Sequence, residues 1–196
     1  GAARAACAIP LPGGAGWYLL QAEQCTHALS WDEGAATLVE LRHYRELRDC
    51  EAIEDSLGLQ AALLDPRAPC LRLQDPGFAL DAGILIAAQL AGCARAALDL
   101  ALDYARVREQ FGQPIGAFQA IKHKAADMLA RAEVAWGQIV MAALEPVDAP
   151  GRVFHASAAK LLAADAALKN AAACIQIHGG MGFTAEVTAH LHLKRA

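Results

Sequence analysis

The spacing of apolar residues divides the chain into two parts of different character. In residues 77–196 apolar side chains recur every three or four positions, which is the repeat of a helix with one buried face. In residues 1–76 prolines and glycines interrupt the chain often, and the short apolar runs between them are typical of strands. The pattern predicts a mainly α protein: an antiparallel up-down four-helix bundle preceded by a short β-containing segment.

Prolines and glycines mark the ends of the predicted helices. The first helix runs from Phe78 to Arg108 and ends before Phe111-Gly112-Gln113-Pro114. The second lies between Gly116 and Pro146, the third between Gly151 and Gly179, and a short fourth runs from about Thr184 to Arg195. Short joints between successive helices favour an antiparallel bundle.

Each long helix has a predicted buried stripe that is rich in alanine. The first contains Leu80, Ile84, Ala87, Ala91, Ala94, Leu98 and Leu102. The second contains Phe118, Ile121, Ala125, Met128, Leu129 and Ala132. The third contains Phe154, Ala158, Leu161, Leu162, Ala166, Leu168, Ala172 and Ile175. Alanine lets helices approach closely, which is consistent with a chain that is 56% hydrophobic and only 6% aromatic.

Residues 1–76 are predicted to hold short strands and one helix. The strands are Cys7–Ile9, Trp17–Gln21 and Ala36–Leu41, and the helix is Cys50–Leu64. This part is acidic, with 6 Lys+Arg against 11 Asp+Glu, whereas residues 77–196 have 11 against 10. Pattern and charge therefore place a domain boundary between residues 76 and 77.

Composition excludes several classes of function. The net charge of −4 argues against general nucleic-acid binding. No uncharged apolar run of about 18 residues occurs, which disfavours a membrane span. The start of the chain lacks the basic and apolar regions of a secretory signal, so we expect a cytoplasmic location.

The cysteines and histidines predict no metal site. The six cysteines are far apart and form no Cys-x-x-Cys pair, so we expect buried, reduced thiols. On a helix His190 and His192 point about 200° apart and do not readily share an ion.

The first candidate for chemistry is Arg108 at the predicted end of the first helix. It belongs to the pattern Tyr104-x-x-x-Arg108-x-x-Phe111-Gly112-x-Pro114-Ile115-x-x-Phe118-Gln119. A guanidinium beside the free backbone groups of a turn suits a phosphate or pyrophosphate. A solvated arginine that stabilises a helix carboxyl end is the alternative, and Gln119 by itself suits a turn or a cap.

The second candidate is the glycine-rich stretch Ile175-Gln176-Ile177-His178-Gly179-Gly180-Met181-Gly182-Phe183-Thr184. Its glycines let a ligand approach the main chain, although a helix cap followed by a loop is the simpler interpretation. It is not a Gly-x-Gly-x-x-Gly nucleotide loop, because no strand precedes it. No acidic neighbour orients His178 as a base, so we expect it to have a structural or backbone role.

Three blocks together resemble the carboxyl-terminal helical domain of the acyl-CoA dehydrogenase family. They are Tyr-Ala-Arg-Val-Arg-Glu-Gln-Phe-Gly-Gln-Pro-Ile (104–115), Phe-Gln-Ala-Ile-Lys-His-Lys-Ala-Ala-Asp-Met (118–128) and Ile-Gln-Ile-His-Gly-Gly-Met-Gly-Phe-Thr (175–184). The resemblance covers residues 77–196. By position, residues 1–76 correspond to the end of the family's middle β domain.

The resemblance implies a cofactor, a substrate and an assembly. Family members bind FAD across a subunit interface and oxidise an acyl-CoA, and the flavin performs the redox step. The resemblance therefore implies a homo- or hetero-oligomer in which Arg108 holds the pyrophosphate of a neighbouring subunit's FAD. The other implied FAD contacts are Phe111, Gln119, Gln176, Ile177, His178, Gly179 and Gly180.

No catalytic base is identified. The family's usual glutamate aligns beyond Ala196, and its alternative position on the first helix aligns with Ala82, followed by Gly83 where an arginine is common. Asp81 and Glu186 lie near these sites but are better interpreted as cap or surface residues.

Three hypotheses follow. The chain is an FAD-dependent acyl-CoA dehydrogenase or part of one, a non-catalytic subunit that completes the FAD site of another subunit, or a helical interaction domain without cofactor. The matching Arg108, Gln119 and Gln176 weigh against the third, because a scaffold does not need them.

Overall fold

The computed structural model describes residues 4–14, 16–32, 34–53, 57–75 and 77–196. The chain forms two compact units, Gly1–Ala79 and Leu80–Ala196. The first unit is a β-sheet and the second a helical bundle.

Seven strands form one sheet in the first unit. They are β1 (Ala5–Pro10), β2 (Trp17–Leu20), β3 (His27–Trp31), β4 (Ala35–Glu40), β5 (Tyr44–Asp49), β6 (Leu59–Leu64) and β7 (Cys70–Gln74). Their order across the sheet is β5-β6-β2-β1-β3-β4-β7. The pair β1 and β3 is parallel, and the other neighbouring pairs are antiparallel. Leu19 is fully buried in this sheet's core, together with small residues such as Ala28.

The predicted helix Cys50–Leu64 is wrong. Its second half, Leu59–Leu64, is β6, which pairs with β2 on one side and β5 on the other. Gly58 precedes it with φ of +51°, a conformation that a helix interior does not accept. Residues 54–56 lie outside the described residues. The backbone groups of β6 are satisfied by distant strands, and local periodicity does not report such pairing.

The second unit contains four helices, which confirms the predicted fold class. They are α1 (Phe78–Val107), α2 (Gln119–Leu144), α3 (Arg152–His178) and α4 (Ala189–Arg195). A small hairpin of β8 (Glu109–Gln110) and β9 (Gln113–Pro114) joins α1 to α2. The fourth helix is shorter than predicted, because residues 184–188 form turns after the 3₁₀ helix Gly179–Phe183 and α4 begins only at Ala189.

Alanine forms most of the bundle core. From α1 the core takes Ala87, Ala91 and Ala94, from α2 Ala132 and Ala135, and from α3 Ala156, Ala159 and Ala163. The buried stripe predicted for α1 is largely correct, because Ile84, Ala87, Ala91, Ala94 and Leu98 are buried and Leu80 and Leu102 are half-buried. In the stripe predicted for α2, Leu129 is instead 43% exposed.

The stripe predicted for α3 is only partly correct. Ala166 and Ile175 are buried as predicted, but Phe154, Leu161 and Leu168 are 68%, 72% and 48% exposed, and the first half of the buried face is made mostly of alanines. The cause is the close approach of the helices, which leaves room only for small side chains on the inner face. We call Phe154, Leu161 and Leu168 the α3 stripe.

A polar group lies in the middle of this apolar bundle. Asn170 of α3 is fully buried and donates from Nδ2 to the carbonyl oxygens of Ala94 (3.1 Å) and Met128 (2.9 Å). Its Oδ1 accepts a hydrogen bond from Nε of Arg131 at 3.0 Å. One side chain thus connects α1, α2 and α3, and both its amide nitrogen and its amide oxygen have hydrogen-bond partners.

By length and mean hydropathy (1.5), the 30-residue α1 could cross a membrane. Its buried alanines pack against α2 and α3 in the bundle core. The same composition is expected of a central helix in a globular bundle.

Candidate functional site

The end of α1 is shaped by the hairpin that follows it. The N–H of Arg108 donates to the carbonyl oxygen of Tyr104 at 2.9 Å, and the N–H of Ile115 donates to that of Arg108 at 2.7 Å. Phe111 and Gly112, at the tip, have φ of 54° and 79°. Two positive φ angles in a two-residue loop are the mark of a type I′ hairpin turn. The turn keeps Arg108 at the surface while returning the chain to the bundle.

Phe111 is an unusual residue for this turn. Asparagine and glycine are preferred where φ is positive, and an aromatic side chain there strains the backbone. The side chain is 93% exposed and meets Phe118 edge to face, with ring centroids 6.2 Å apart. An exposed aromatic in a strained turn is typical of a functional surface rather than of a folding element.

Gln119 is brought to the same region by close packing of the connection. A Cβ on Gly116 would lie 2.9 Å from the carbonyl oxygen of Ala105 in α1. Only glycine permits this approach, which holds the Ile115–Ala117 turn against the last turn of α1. Gln119, the first residue of α2, is exposed beside it.

The end of α3 presents open backbone. Gly179 caps the helix with φ of 59° and ψ of −136°, a conformation that is almost exclusive to glycine. A Cβ on Gly179 or Gly180 would meet nothing within 4 Å. The main chain is therefore accessible to a ligand here. The turn is anchored at Gly182, where a Cβ would lie only 2.6 Å from the carbonyl oxygen of Ile175.

Of the residues predicted to bind cofactor, two have their side chains inside the bundle. Ile177 and His178 are 6% and 4% exposed. Nδ1 of His178 donates to the carbonyl oxygen of Cys174 at 2.8 Å, since a carbonyl can only accept. These two residues can offer a ligand only their backbone, whereas Gln176, Gly179 and Gly180 are exposed.

The structure brings the two predicted motifs to one end of the bundle. The ring of Tyr104, one turn before Arg108, stacks on the ring of His178 with centroids 4.3 Å apart. Around the stack, Ala101 and Ala105 of α1 share an apolar cluster with Cys174 and Ile175 of α3. We call this end of the bundle, with Arg108, Phe111, Gln119, Gln176, Gly179 and Gly180, the hairpin end.

Arg108 differs from other arginines of the bundle in having no described partner. Arg95, Arg106 and Arg152 form ion pairs with carboxylates, and Arg131 donates to Asn170. Among the residues that the structure describes, none accepts a hydrogen bond from the exposed Arg108 guanidinium. A guanidinium group without a partner in the described part of the protein is suited to bind an anionic ligand.

The thiol beneath the glycine turn is not a candidate nucleophile. Cys174 is fully buried, and burial raises the pKa of its thiol from 9.0 to about 11. Because the thiolate is the reactive form, this cysteine stays protonated at neutral pH.

The acidic residues near the possible base positions, Asp81 and Glu186, have structural or surface positions. Asp81 forms an ion pair with Arg152, which also donates to the carbonyl oxygen of Glu145 at 2.7 Å. Asp81 therefore fixes the start of α1 to the start of α3, and Glu186 is exposed after the glycine turn. In the described part of the chain, His, Cys, Asp and Glu side chains form no group of three that could hold a metal ion.

The contacts beneath the site were not predicted. Tyr104 belongs to the arginine motif, but its stacking on His178 was not expected, and neither was the buried Asn170. The spacing of Tyr104 one turn before Arg108 was an available signal for the first. A single asparagine in an alanine-rich helix gave little signal for the second.

Known proteins match the bundle and most of the chain. Residues 81–196 match the family described as acyl-CoA dehydrogenase, C-terminal domain. The chain is 50% identical over 149 residues to the acyl-CoA dehydrogenase FadE34 of Mycobacterium tuberculosis, covering 74% of this chain and 21% of that protein. It is 40% identical over 144 residues to the acyl-CoA dehydrogenase IpdE2 of the same organism, covering 69% and 44%.

Solved structures share the fold. Butyryl-CoA dehydrogenase from Megasphaera elsdenii superposes with a TM-score of 0.73 at 25% identity, over 97% of this chain and 57% of that one. The chain thus spans less than half of these curated relatives and just over half of this structure. The match of the family to more than half of the chain shows that this protein belongs to the acyl-CoA dehydrogenase family.

Proposed function

We propose that the chain is part of an FAD-dependent acyl-CoA dehydrogenase that introduces an α,β-double bond into an acyl-CoA thioester. The observation that carries the proposal is the Arg108 guanidinium, which has no partner among the described residues, at the same end of the bundle as the open Gly179–Gly180 backbone. An arginine fork suits a pyrophosphate, and accessible backbone suits its close approach. The names of the relatives support the reaction class.

The residues of the hairpin end fit the cofactor. When bound, FAD supplies the hydride acceptor for the oxidation. Arg108 supplies a permanent positive charge for the pyrophosphate, and Gly180 supplies a backbone surface without a side chain. Phe111 offers an exposed ring and Gln119 and Gln176 offer exposed amides. The role of this part of the chain is thus to bind and orient FAD.

The test uses the natural protein, together with any partner subunit with which it purifies. We expect a yellow protein with flavin absorbance that survives dialysis. Anaerobic addition of an acyl-CoA should bleach that absorbance as the flavin is reduced. A pure, folded, colourless protein that takes up no FAD would contradict the proposal.

A second candidate is a non-catalytic subunit that completes the FAD site of an active partner. Two features favour it. Ala82, which cannot act as a base, occupies a position where the family can have its catalytic base, and the neighbouring Asp81 forms an ion pair with Arg152. If this subunit acts in that way, flavin will be retained only when the two subunits are mixed. Reduction by acyl-CoA will then be lost when the partner's base is mutated, with no change in FAD content.

A polypeptide limited to residues 1–196 is expected to show no acyl-CoA dehydrogenase turnover. Removing an α-proton needs a base within hydrogen-bond reach, and loss of a positioned base costs about 10²–10⁴-fold in rate. Reconstitution with FAD, an acyl-CoA panel and an artificial electron acceptor will measure it. Turnover at ordinary rates would overturn this prediction, and Asp81→Asn and Glu186→Gln would then identify the base.

Alanine substitutions at Gly179 and Gly180 test two different properties of the turn. The first measures backbone strain, and the second measures how closely the cofactor approaches the main chain. Gly179→Ala is expected to destabilise the protein by about 1–3 kcal/mol, because its backbone conformation suits only glycine. Gly180→Ala should leave stability unchanged but weaken FAD binding by about three- to tenfold, because the new methyl group occupies the open face. Thermal melts and FAD titrations measure the two effects. Equal FAD affinity of Gly180→Ala and wild type would argue against a backbone contact.

The exposed α3 stripe predicts assembly. Leu161 and Leu168 lie seven residues apart on one face, and α4 adds the half-exposed Leu191 and Leu193. We expect a dimer of dimers, homomeric or heteromeric, in which α3 and α4 bury these side chains. Light scattering should show Leu161→Glu dissociating this assembly, with Lys160→Glu as the neighbouring surface control. A wild-type monomer at micromolar concentration would refute the prediction.

A further inference from the structure

The two halves of the hairpin end meet through a pair of stacked rings below the surface. The planes of Tyr104 and His178 differ by 23° and their centroids are 4.3 Å apart. The carbonyl oxygen of Tyr104 accepts the N–H of Arg108, and His178 directly precedes Gly179. The stack therefore adjoins both the arginine and the glycine turn.

His178 is held firmly in this stack. It is 4% exposed, and Nδ1 donates to the carbonyl oxygen of Cys174 at 2.8 Å. Because Nδ1 carries the hydrogen of this bond, it is not available to accept a proton from a substrate. The bond fixes the plane of the ring, and the ring in turn determines where Tyr104 lies.

The rings make a more directional contact between α1 and α3 than the apolar side chains around them. At this end α1 packs against α3 through the small side chains of Ala97, Ala101 and Ala105 and through larger ones such as Leu98. Apolar contacts of this kind are non-directional, so they do not by themselves set one fixed position. Two flat rings in contact allow far less movement, since stacked pairs have a preferred separation and offset. The stack is therefore the directional contact that sets how the last turns of α1 and α3 lie against each other, and Asn170 links the same two helices farther from this end.

We propose that Tyr104 and His178 are positioning residues: their stack fixes the separation between the Arg108 guanidinium and the Gly179–Gly180 backbone, so that both contact one dinucleotide at the same time. The inference rests on the proposed function, because the dinucleotide is the proposed FAD. A ligand that contacts two elements binds more weakly when binding must also order those elements, because ordering costs conformational entropy. If the stack already holds the two elements in place, that entropy is not lost on binding.

The test replaces each ring in the full-length flavoprotein, with its partner subunit where it has one. His178→Leu and Tyr104→Leu preserve apolar volume but remove the flat ring, whereas His178→Phe and Tyr104→Phe keep it. We expect the leucine variants to raise the Kd of FAD by about three- to tenfold and Tyr104→Phe to remain within about twofold of wild type. His178→Phe keeps the ring but loses the bond to Cys174, so its Kd should lie between that of wild type and that of His178→Leu. Flavin fluorescence measures Kd, and visible circular dichroism reports the bound flavin's environment.

Two controls separate positioning from general destabilisation. Ile139→Val alters the other apolar cluster of the bundle, so it should lower the melting temperature without changing the Kd of FAD. In a double-mutant cycle, His178→Leu should lose most of its effect in an Arg108→Ala background, because it acts through Arg108. Fully additive effects would overturn the inference.

The outcomes also distinguish this inference from the proposed function. If Arg108→Ala weakens FAD binding but His178→Leu and Tyr104→Leu bind FAD normally, the positioning role is wrong and the FAD site stands. A positioning role is likewise wrong if His178→Phe is as weak as His178→Leu. If wild type does not bind FAD, or Arg108→Ala binds it as well as wild type, both are wrong.

Discussion

Replacing Asn170 with alanine is expected to destabilise the protein by about 2–4 kcal/mol. The substitution removes hydrogen bonds to the Ala94 and Met128 carbonyls and leaves Nε of Arg131 without its acceptor. Each net contribution is about 0.5–1.5 kcal/mol, and the cavity left in a fully buried site adds to the loss. Urea unfolding followed by helical circular dichroism measures the change in the free energy of unfolding.

The neighbouring Lys169 supplies the control for Asn170. Lys169 is exposed and pairs with Asp165 at 2.8 Å on the same helix. A surface pair of this kind contributes about 0–1 kcal/mol, so Lys169→Ala should have a much smaller effect. If both variants unfolded at the same urea concentration, Asn170 would not be the link among the three helices that its contacts indicate.

The long helices were predictable because their ends are determined locally. The structure ends α1 at Val107 and α3 at His178, each within one residue of the predicted end. Glycine and proline act on their own neighbours, so their effect can be deduced from the sequence without knowledge of the fold. The buried face of α1 was also largely predictable, because its apolar residues recur at helical spacing within the helix itself.

The buried face of α3 was not predictable from hydrophobicity. Its large residues Phe154 and Leu161 are exposed, whereas most of its alanines are buried. A scale that ranks side chains by apolar size selects the wrong face when close helix packing admits only alanine.

The sheet was harder to predict because its pairings are distant in sequence. Trp17 of β2 pairs with Ala62 of β6, and Cys7 of β1 pairs with Leu29 of β3. Neither partner influences the local pattern of the other, so Leu59–Leu64 was mistaken for part of a helix. For the candidate site, the motifs were visible in the sequence, whereas the Tyr104–His178 stack that joins them required the tertiary fold.

Replacing Arg108 with alanine is expected to weaken FAD binding by about 10- to 100-fold. A charge-assisted hydrogen bond contributes about 1.5–3 kcal/mol, and the Arg108 guanidinium has no described partner to compete for it. Arg106, two residues earlier, forms an ion pair with Asp103 at 3.0 Å and is equally a surface arginine. Arg106→Ala thus removes the same charge from the same helix end without removing the proposed contact.

The comparison of these two variants tests the central claim most directly. Apoprotein of wild type, Arg108→Ala and Arg106→Ala is titrated with FAD at constant ionic strength, and Kd is obtained from flavin fluorescence. The FAD-site assignment predicts an increase in Kd of about 10- to 100-fold for Arg108→Ala and less than about threefold for Arg106→Ala. Equal weakening by the two substitutions would contradict it, because Arg108 would then act only as general surface charge.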